Sequence, residues 1–265
     1  ANQRYIPAMP PARTAHRVAV LALPTVVPFD FSVPFQVFGY AAVGLGNYRP
    51  LACGVRAGRV DTSRGFSIVA PHGLDALRRA RTIVVPGIDD LDRPIPAAVT
   101  RALVRAHARG ARIVSICTGA FVLAAAGLLR GRRATTHWAD IPVFASRFPD
   151  TVVDPGVLYV EAGRVLTSAG IAAGIDLCLH LVSADHGAEV ANAVARRLVV
   201  PPHRSGGQAQ FIPDPVGPPS GPALAAKERR ITQKLYPFST GDAIDIAAIA
   251  VFLASDESRM ITGTT

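Results

Sequence analysis

Ser115-Ile116-Cys117-Thr118-Gly119-Ala120 is where this chain of 265 residues concentrates the means for covalent chemistry. Residues 113–116 form an apolar run of buried-strand length, and a small-residue helical stretch starts directly after Cys117. A strand that runs into a nucleophile and turns at once into a helix lifts that side chain above the carboxyl end of a sheet. There the unpaired N–H groups of the helix start favour a thiolate, and Gly119 removes a Cβ that would crowd the turn. The same residue type also serves as a small buried core side chain, and the segment alone does not choose between the two. Cys53 and Cys178 lie far from Cys117 with no C-x-x-C spacing, so neither a disulfide framework nor a metal site is expected. The seven histidines show no ligand spacing, no metal and no cofactor are expected, and three unpaired thiols suit a reducing cytoplasm.

The elements that must position this site are legible as a rhythm. Residues 18–23, 82–85 and 113–116 are apolar runs of the kind that doubly buried parallel strands show. Residues 94–109 read as a helix, with Pro near the first turn and Gly110 past the end. Residues 59–61 and 66–69 flank Thr62-Ser63-Arg64-Gly65 as a hairpin. Residues 151–153, 158–161 and 165–167 read as later strands, and 174–185 as a helix behind them. The alternation predicts an α/β fold, doubly wound around a mostly parallel sheet.

Composition divides the chain. Residues 201–222 hold seven prolines and four glycines and read as a Pro/Gly-rich linker. That leaves one domain over 15–200, a polar, disordered arm over 1–14 without the apolar core of a signal peptide, and a tail over 223–265 too short for its own core. The longest apolar runs, 119–129 and 243–254, fall short of the roughly 20 residues that span a bilayer. The net charge of +9 comes almost wholly from arginine, since Lys227 and Lys234 are the only lysines. A basic total permits contact with an anion, but without a run of like charges a solvated surface is the simpler reading.

Several stretches fall in order around the elbow: residues 29–39 (FDFSVPFQVFG), Thr82-Ile83-Val84-Val85-Pro86-Gly87, Ala134-Thr135-Thr136-His137-Trp138, and Thr167-Ser168-Ala169-Gly170 with Asp176. In that order, over roughly residues 15–211, the chain resembles the ThiJ/PfpI superfamily, whose fold is the class I glutamine amidotransferase-like, flavodoxin-like sandwich. The resemblance implies that Cys117 is the elbow cysteine and that Asp30 is the carboxyl lying against it. Such a carboxyl has its pKa raised by burial and by a neighbouring thiolate, and can then donate a proton to the sulfur or to a substrate atom. An acid at this position also complements its own helix N-terminus. The N–H groups of Thr118 and of the Gly87–Ile88 turn are expected to form an anion hole, with Ile88 standing where many members carry a second glycine. His137 is the histidine whose surroundings fit the family, read as a hydrogen-bonded structural residue at the ligand site. PfpI-type proteases carry a histidine directly after the cysteine; Thr118 stands there, so protease activity is not expected.

Two branches of this superfamily use such parts. One resembles isonitrile hydratase, in which the elbow cysteine attacks an isocyanide carbon and an Asp supplies the proton. The other resembles GlxA-type regulators of the AraC family, in which the same fold senses a ligand and dimerises. Residues 199–211 (VVPPHRSGGQAQF) resemble the segment that ends the sensor domain in those regulators. The expected function is therefore a ligand-sensing, dimerising domain of an AraC-type lineage, with a small-molecule ligand and a second copy as partners. The alternative is a Cys117-dependent hydratase working through a thioimidate, with Asp30 as acid and Thr118 as small polar neighbour. Beyond residue 222 a regulator should show helix-turn-helix units, whereas residues 241–264 resemble the C-terminal end of a short-chain dehydrogenase/reductase. The DNA-binding half is thus expected to be lacking, with no specific DNA binding by this chain. Residues 23–28 carry no Gly-rich dinucleotide fingerprint and no Tyr-x-x-x-Lys pair occurs, so a whole reductase is not expected.

Overall fold

A strand covered on both faces must send alternate side chains into two different cores, and the apolar runs of this chain do so. In the computed structural model, which describes residues 15–44, 48–201 and 204–210, the chain opens with β1 (His16–Leu21), α1 (Pro28–Gly44) and β2 (Tyr48–Cys53). A hairpin of β3 (Gly58–Asp61) and β4 (Ser67–Ala70) follows, then β5 (Thr82–Val85), α2 (Ala97–Ala108), β6 (Arg112–Ile116) and α3 (Gly119–Ala125). The described part ends with β7 (Arg133–Ala134), α4 (Ile141–Arg147), β8 (Val152–Val153), β9 (Tyr159–Ala162), β10 (Val165–Ser168), α5 (Ala172–His186) and α6 (Ala188–Leu198).

Six strands form one sheet in the order β2-β1-β5-β6-β10-β9, parallel throughout except for the antiparallel edge strand β9. Val18, Val20, Val84, Val114 and Ile116 face a layer built from α1, α5 and α6, where Val37, Phe38, Leu177, Leu181 and Val194 pack. Ala19, Leu21, Ile83, Val85 and Ile113 face the opposite layer, where α2 and α3 bring Val99, Leu103, Phe121 and Leu123. The sheet is thus doubly wound and mostly parallel, the flavodoxin-like α/β arrangement that the sequence predicts.

The differences from the sequence reading have local causes. Strand β2 escapes a pattern search because Pro50 interrupts it, yet β2 is an edge strand, where a missing N–H leaves no ladder bond unmade. Residues 152–153 pair only with β7 in a separate two-stranded sheet. Helix α2 begins at Ala97, because Pro96 takes the extended N-cap conformation (φ −56°, ψ 131°). The expected arm over 1–14, residues 202–203 and 211–222 of the expected linker, and the tail over 223–265 lie outside the described residues. No helix of the described residues is long and apolar enough to cross a membrane.

Candidate functional site

The carboxyl end of β6 turns into α3 at Cys117, which adopts φ 56°, a left-handed conformation that costs a residue with a Cβ about 1–3 kcal/mol. Neighbouring strands and loops hold it there. The Cys117 N–H donates to the Ser168 carbonyl (3.0 Å), and the Thr136 hydroxyl donates to the Cys117 carbonyl (2.9 Å). Two glycines allow the close approach. A Cβ on Gly119 would lie 2.1 Å from the Val85 carbonyl oxygen, and one on Gly170 would lie 2.3 Å from the Cys117 Cβ.

Asp30, in the first turn of α1, is fully buried against this elbow. Its Oδ1 accepts from the Ile171 N–H (3.0 Å). Its Oδ2, shut off from solvent, has no donor in full hydrogen-bond geometry, although the Gly87 N–H and the Cys117 thiol lie against the carboxyl and favour its charged form. Gly87 is the spacer of the group: a Cβ there would sit 2.6 Å from Asp30 Oδ2, 3.0 Å from Thr118 Oγ1 and 3.1 Å from Cys117 Cβ. Burial raises the Asp30 pKa above the ordinary carboxylate range, and those donors offset only part of it.

The thiol departs from expectation. Cys117 is 8% exposed, and burial, reinforced by the Asp30 charge, pushes its pKa well up, with the Thr118 N–H acting weakly in the other sense. The helix start was expected to favour a thiolate; instead loss of hydration outweighs the dipole of a helix only seven residues long. The protonated thiol is the form at neutral pH.

The expected anion hole is half closed. The Thr118 hydroxyl donates to the Ile88 carbonyl (2.7 Å) and accepts from the Ile88 N–H (2.8 Å), so that N–H is already engaged. The structure brings Asp30, Gly87, Ile88, Cys117 and Thr118 together. His137 stands apart from the thiol: its Nδ1 accepts from the Ala139 N–H (3.3 Å) and lies 3.7 Å from Asp140, with no bond to Cys117. Phe29, Trp138 and Ile171, chain neighbours of site residues, are exposed apolar side chains.

Two contributions escaped the sequence. Ile171 acts through its backbone N–H, at φ 48°, so its residue type carries no signal. The other is a strap. Within the stretch read as linker, residues 204–210 bind to the domain. Arg204 forms a two-pronged pair with Asp176 (3.0 and 2.5 Å), and the Leu158 N–H donates to the Gly206 and Gln208 carbonyls. Gln210 is 7% exposed; its amide nitrogen faces Thr135 Oγ1 and the carbonyls of Thr136, Pro155 and Val157, while its oxygen accepts from the Trp138 N–H (3.1 Å). The order Arg-x-Gly-Gly-x-x-Gln was visible, but not where its side chains would land.

A prediction follows from the buried acid. The folded state holds the Asp30 proton more tightly than the unfolded chain does, so stability declines as pH rises from about 4 through the raised folded-state pKa. Asp30→Asn removes that penalty. The variant is expected to be more stable than the wild type at neutral pH, with the gap closing below about pH 4. Urea unfolding at both pH values checks this, and an equal gap at the two would refute it.

Comparison with known proteins places this geometry in a family. The DJ-1/PfpI family model matches residues 16–184. The chain is 35% identical over 154 residues to the HTH-type transcriptional regulator CdhR of Pseudomonas aeruginosa, covering 58% of this chain and 45% of that protein. It is 39% identical over 128 residues to an isonitrile hydratase of Pseudomonas putida, covering 47% of this chain and 55% of that one. It spans about half the length of these two curated relatives. A crystal structure of an AraC family transcriptional regulator from Pseudomonas putida superposes with a TM-score of 0.62 at 23% identity, covering 69% of this chain and 99% of that chain, a likeness of fold. The family match spans Asp30, Gly87, Cys117 and Gly170, and the chain belongs to the DJ-1/PfpI family.

Proposed function

We propose that residues 15–210 are the ligand-sensing and dimerising domain of an AraC-type transcriptional regulator. The observation that carries this reading is the closed nucleophile. The Cys117 thiol is buried, held protonated against the Asp30 carboxyl, and has no histidine bonded to it, an arrangement suited to shaping a pocket rather than to attack. The similarity to CdhR supports it. So does the strap. Thr136 bonds the elbow carbonyl through its hydroxyl and accepts from Gln210 through its own carbonyl, so a ligand that shifts the elbow also pulls on the residues leading toward the C-terminus. The partners in this reading are a small molecule at the Asp30–Cys117 end and a second copy of the chain, in the cytoplasm. Sequence-selective DNA binding is not assigned to residues 15–210.

One observation favours a second reading, a cysteine-dependent isonitrile hydratase. Asp30 Oδ2 is an unpartnered buried acid beside the thiol, with its pKa raised as a proton donor requires. In that chemistry the thiol S–H adds across the terminal isocyanide carbon to give a thioimidate. Water then releases the N-substituted formamide and restores the thiol.

Turnover of small isocyanides by the wild type and Cys117→Ala separates the two, with alkylation of the Cys117 peptide by iodoacetamide followed across pH. The expected result is no Cys117-dependent turnover, and alkylation at neutral pH slower than that of a free thiol by about tenfold or more. Turnover that vanishes in Cys117→Ala would transfer the assignment to the hydratase.

A further inference from the structure

At the end of the sheet opposite Cys117, the starts of β1, β5 and β6 and the turn into β10 bring His16, Arg81, Arg112 and Arg164 to one cleft. Arg78 and Arg79, from the short 3-10 turn Leu74–Arg79, and Arg109, just past α2, complete its wall. The cleft encloses about 860 Å³, within the range of small-molecule sites. We infer that it is a second ligand site, for a small oxyanion carrying several negative charges, with a chain of linked phosphates as the fitting class.

The charge balance is the first argument. Six guanidinium groups face one carboxylate, Asp185, which is already bonded to Arg112 (2.7 and 3.0 Å). His16, 3.8 Å from Asp185, adds no competing charge, because burial lowers its pKa to about 4. Among the described residues no ion pair includes Arg78, Arg79 or Arg81. Arg109 and Arg164 donate to the Leu77 and Gly110 carbonyls, which fixes their guanidinium groups without neutralising them. Like charges gathered this way repel one another unless an anion joins them, and the planar guanidinium fork matches phosphate oxygens in pairs.

The wall supplies the second argument. His186 lines the same cleft beside Asp185, its ring held edge-on against Tyr48. The arginines come from separate stretches of the chain, so the fold rather than a basic run in sequence gathers them. Concavity favours a small ligand over a nucleic-acid duplex, whose convex backbone needs an open face. Multivalency follows from six cations, since a single charge would leave most of them unpaired.

Calorimetric titration of the full chain with sodium tripolyphosphate, free of metal ions and at low ionic strength, tests the site. One saturable site is expected, weakened by about tenfold or more in the double variant Arg79→Gln/Arg81→Gln, whose side chains are exposed and bear no packing. Arg130→Gln, which removes an arginine paired with Asp150 outside the cleft, is expected to bind like the wild type. Metal-free ATP as a second titrant separates a nucleotide from a free phosphate chain, and either outcome supports the site if the double variant loses it. Absence of binding, equal binding by the double variant, or tighter binding of a DNA duplex through Arg79 and Arg81 would overturn the inference.

Discussion

Substituting alanine for Gly170 is expected to cost about 3–5 kcal/mol and to lower the unfolding temperature by roughly 10 °C. Gly170 sits at φ +97°, where any side chain is strained, and that strain alone accounts for about 1 kcal/mol. The larger part is contact. A Cβ would lie 2.3 Å from Cys117 Cβ and 2.8 Å from its Cα and Sγ, atoms fixed by a turn that is itself left-handed. Cys117 cannot swing aside, because its N–H and carbonyl are both bonded to neighbouring segments. Pushing Gly170 outward instead carries Ile171 with it and breaks the one full hydrogen bond that the Asp30 carboxyl accepts inside the protein. Either response unseats the site. Gly163→Ala provides the comparison, since Gly163 has φ +65° but open space around it. Its cost is expected to stay near 1 kcal/mol, the conformational part alone. Thermal unfolding of both variants checks the difference, and equal losses would mean that the approach to Cys117 contributes nothing.

How much of this was readable in advance depends on whether a residue acts through its type or its place. Cys117, Thr118, Gly87 and Asp30 act through type, and ordered family segments bring them out before any coordinates. The central strands β1, β5 and β6 are continuous apolar runs, and no other element explains such runs at that length. Ile171 acts through a backbone N–H that any residue but proline supplies. The sequence points to a thiolate because the helix start is local and visible, whereas the burial that keeps the proton on Cys117 is a property of the assembled fold. Proline content hid β2 and disguised the strap. Residues 204–210 need no regular ladder, since Arg204 and Gln210 attach them through side chains. The basic cleft was invisible for the same reason in reverse. Its six arginines are scattered from 78 to 164 and meet only across the amino ends of parallel strands.

Arg204→Ala is expected to be the second most damaging change, at about 3 kcal/mol, because it strands a buried charge. The Asp176 side chain is 6% exposed and both its oxygens accept from the Arg204 guanidinium, an arrangement whose value lies mainly in what its loss leaves behind. Arg204 also anchors the strap. Its carbonyl accepts from the Tyr159 hydroxyl (3.4 Å), and Gly206 packs so closely on Tyr159 that a Cβ there would come within 2.6 Å of the ring. Once the Arg204 guanidinium is gone, the strap keeps its backbone hydrogen bonds and the Gln210 amide but loses its one ion pair, and cleavage within residues 204–210 by a protease is expected to accelerate. Arg204→Lys keeps the charge but not the fork, and should fall between wild type and alanine. Asp176→Leu combined with Arg204→Met removes both charges in similar volume and should recover most of the loss, since no buried carboxylate then remains. The four unfolding temperatures, with the rate of strap cleavage beside them, test the argument together. If the double variant is as unstable as Arg204→Ala, the pair works by packing rather than by charge.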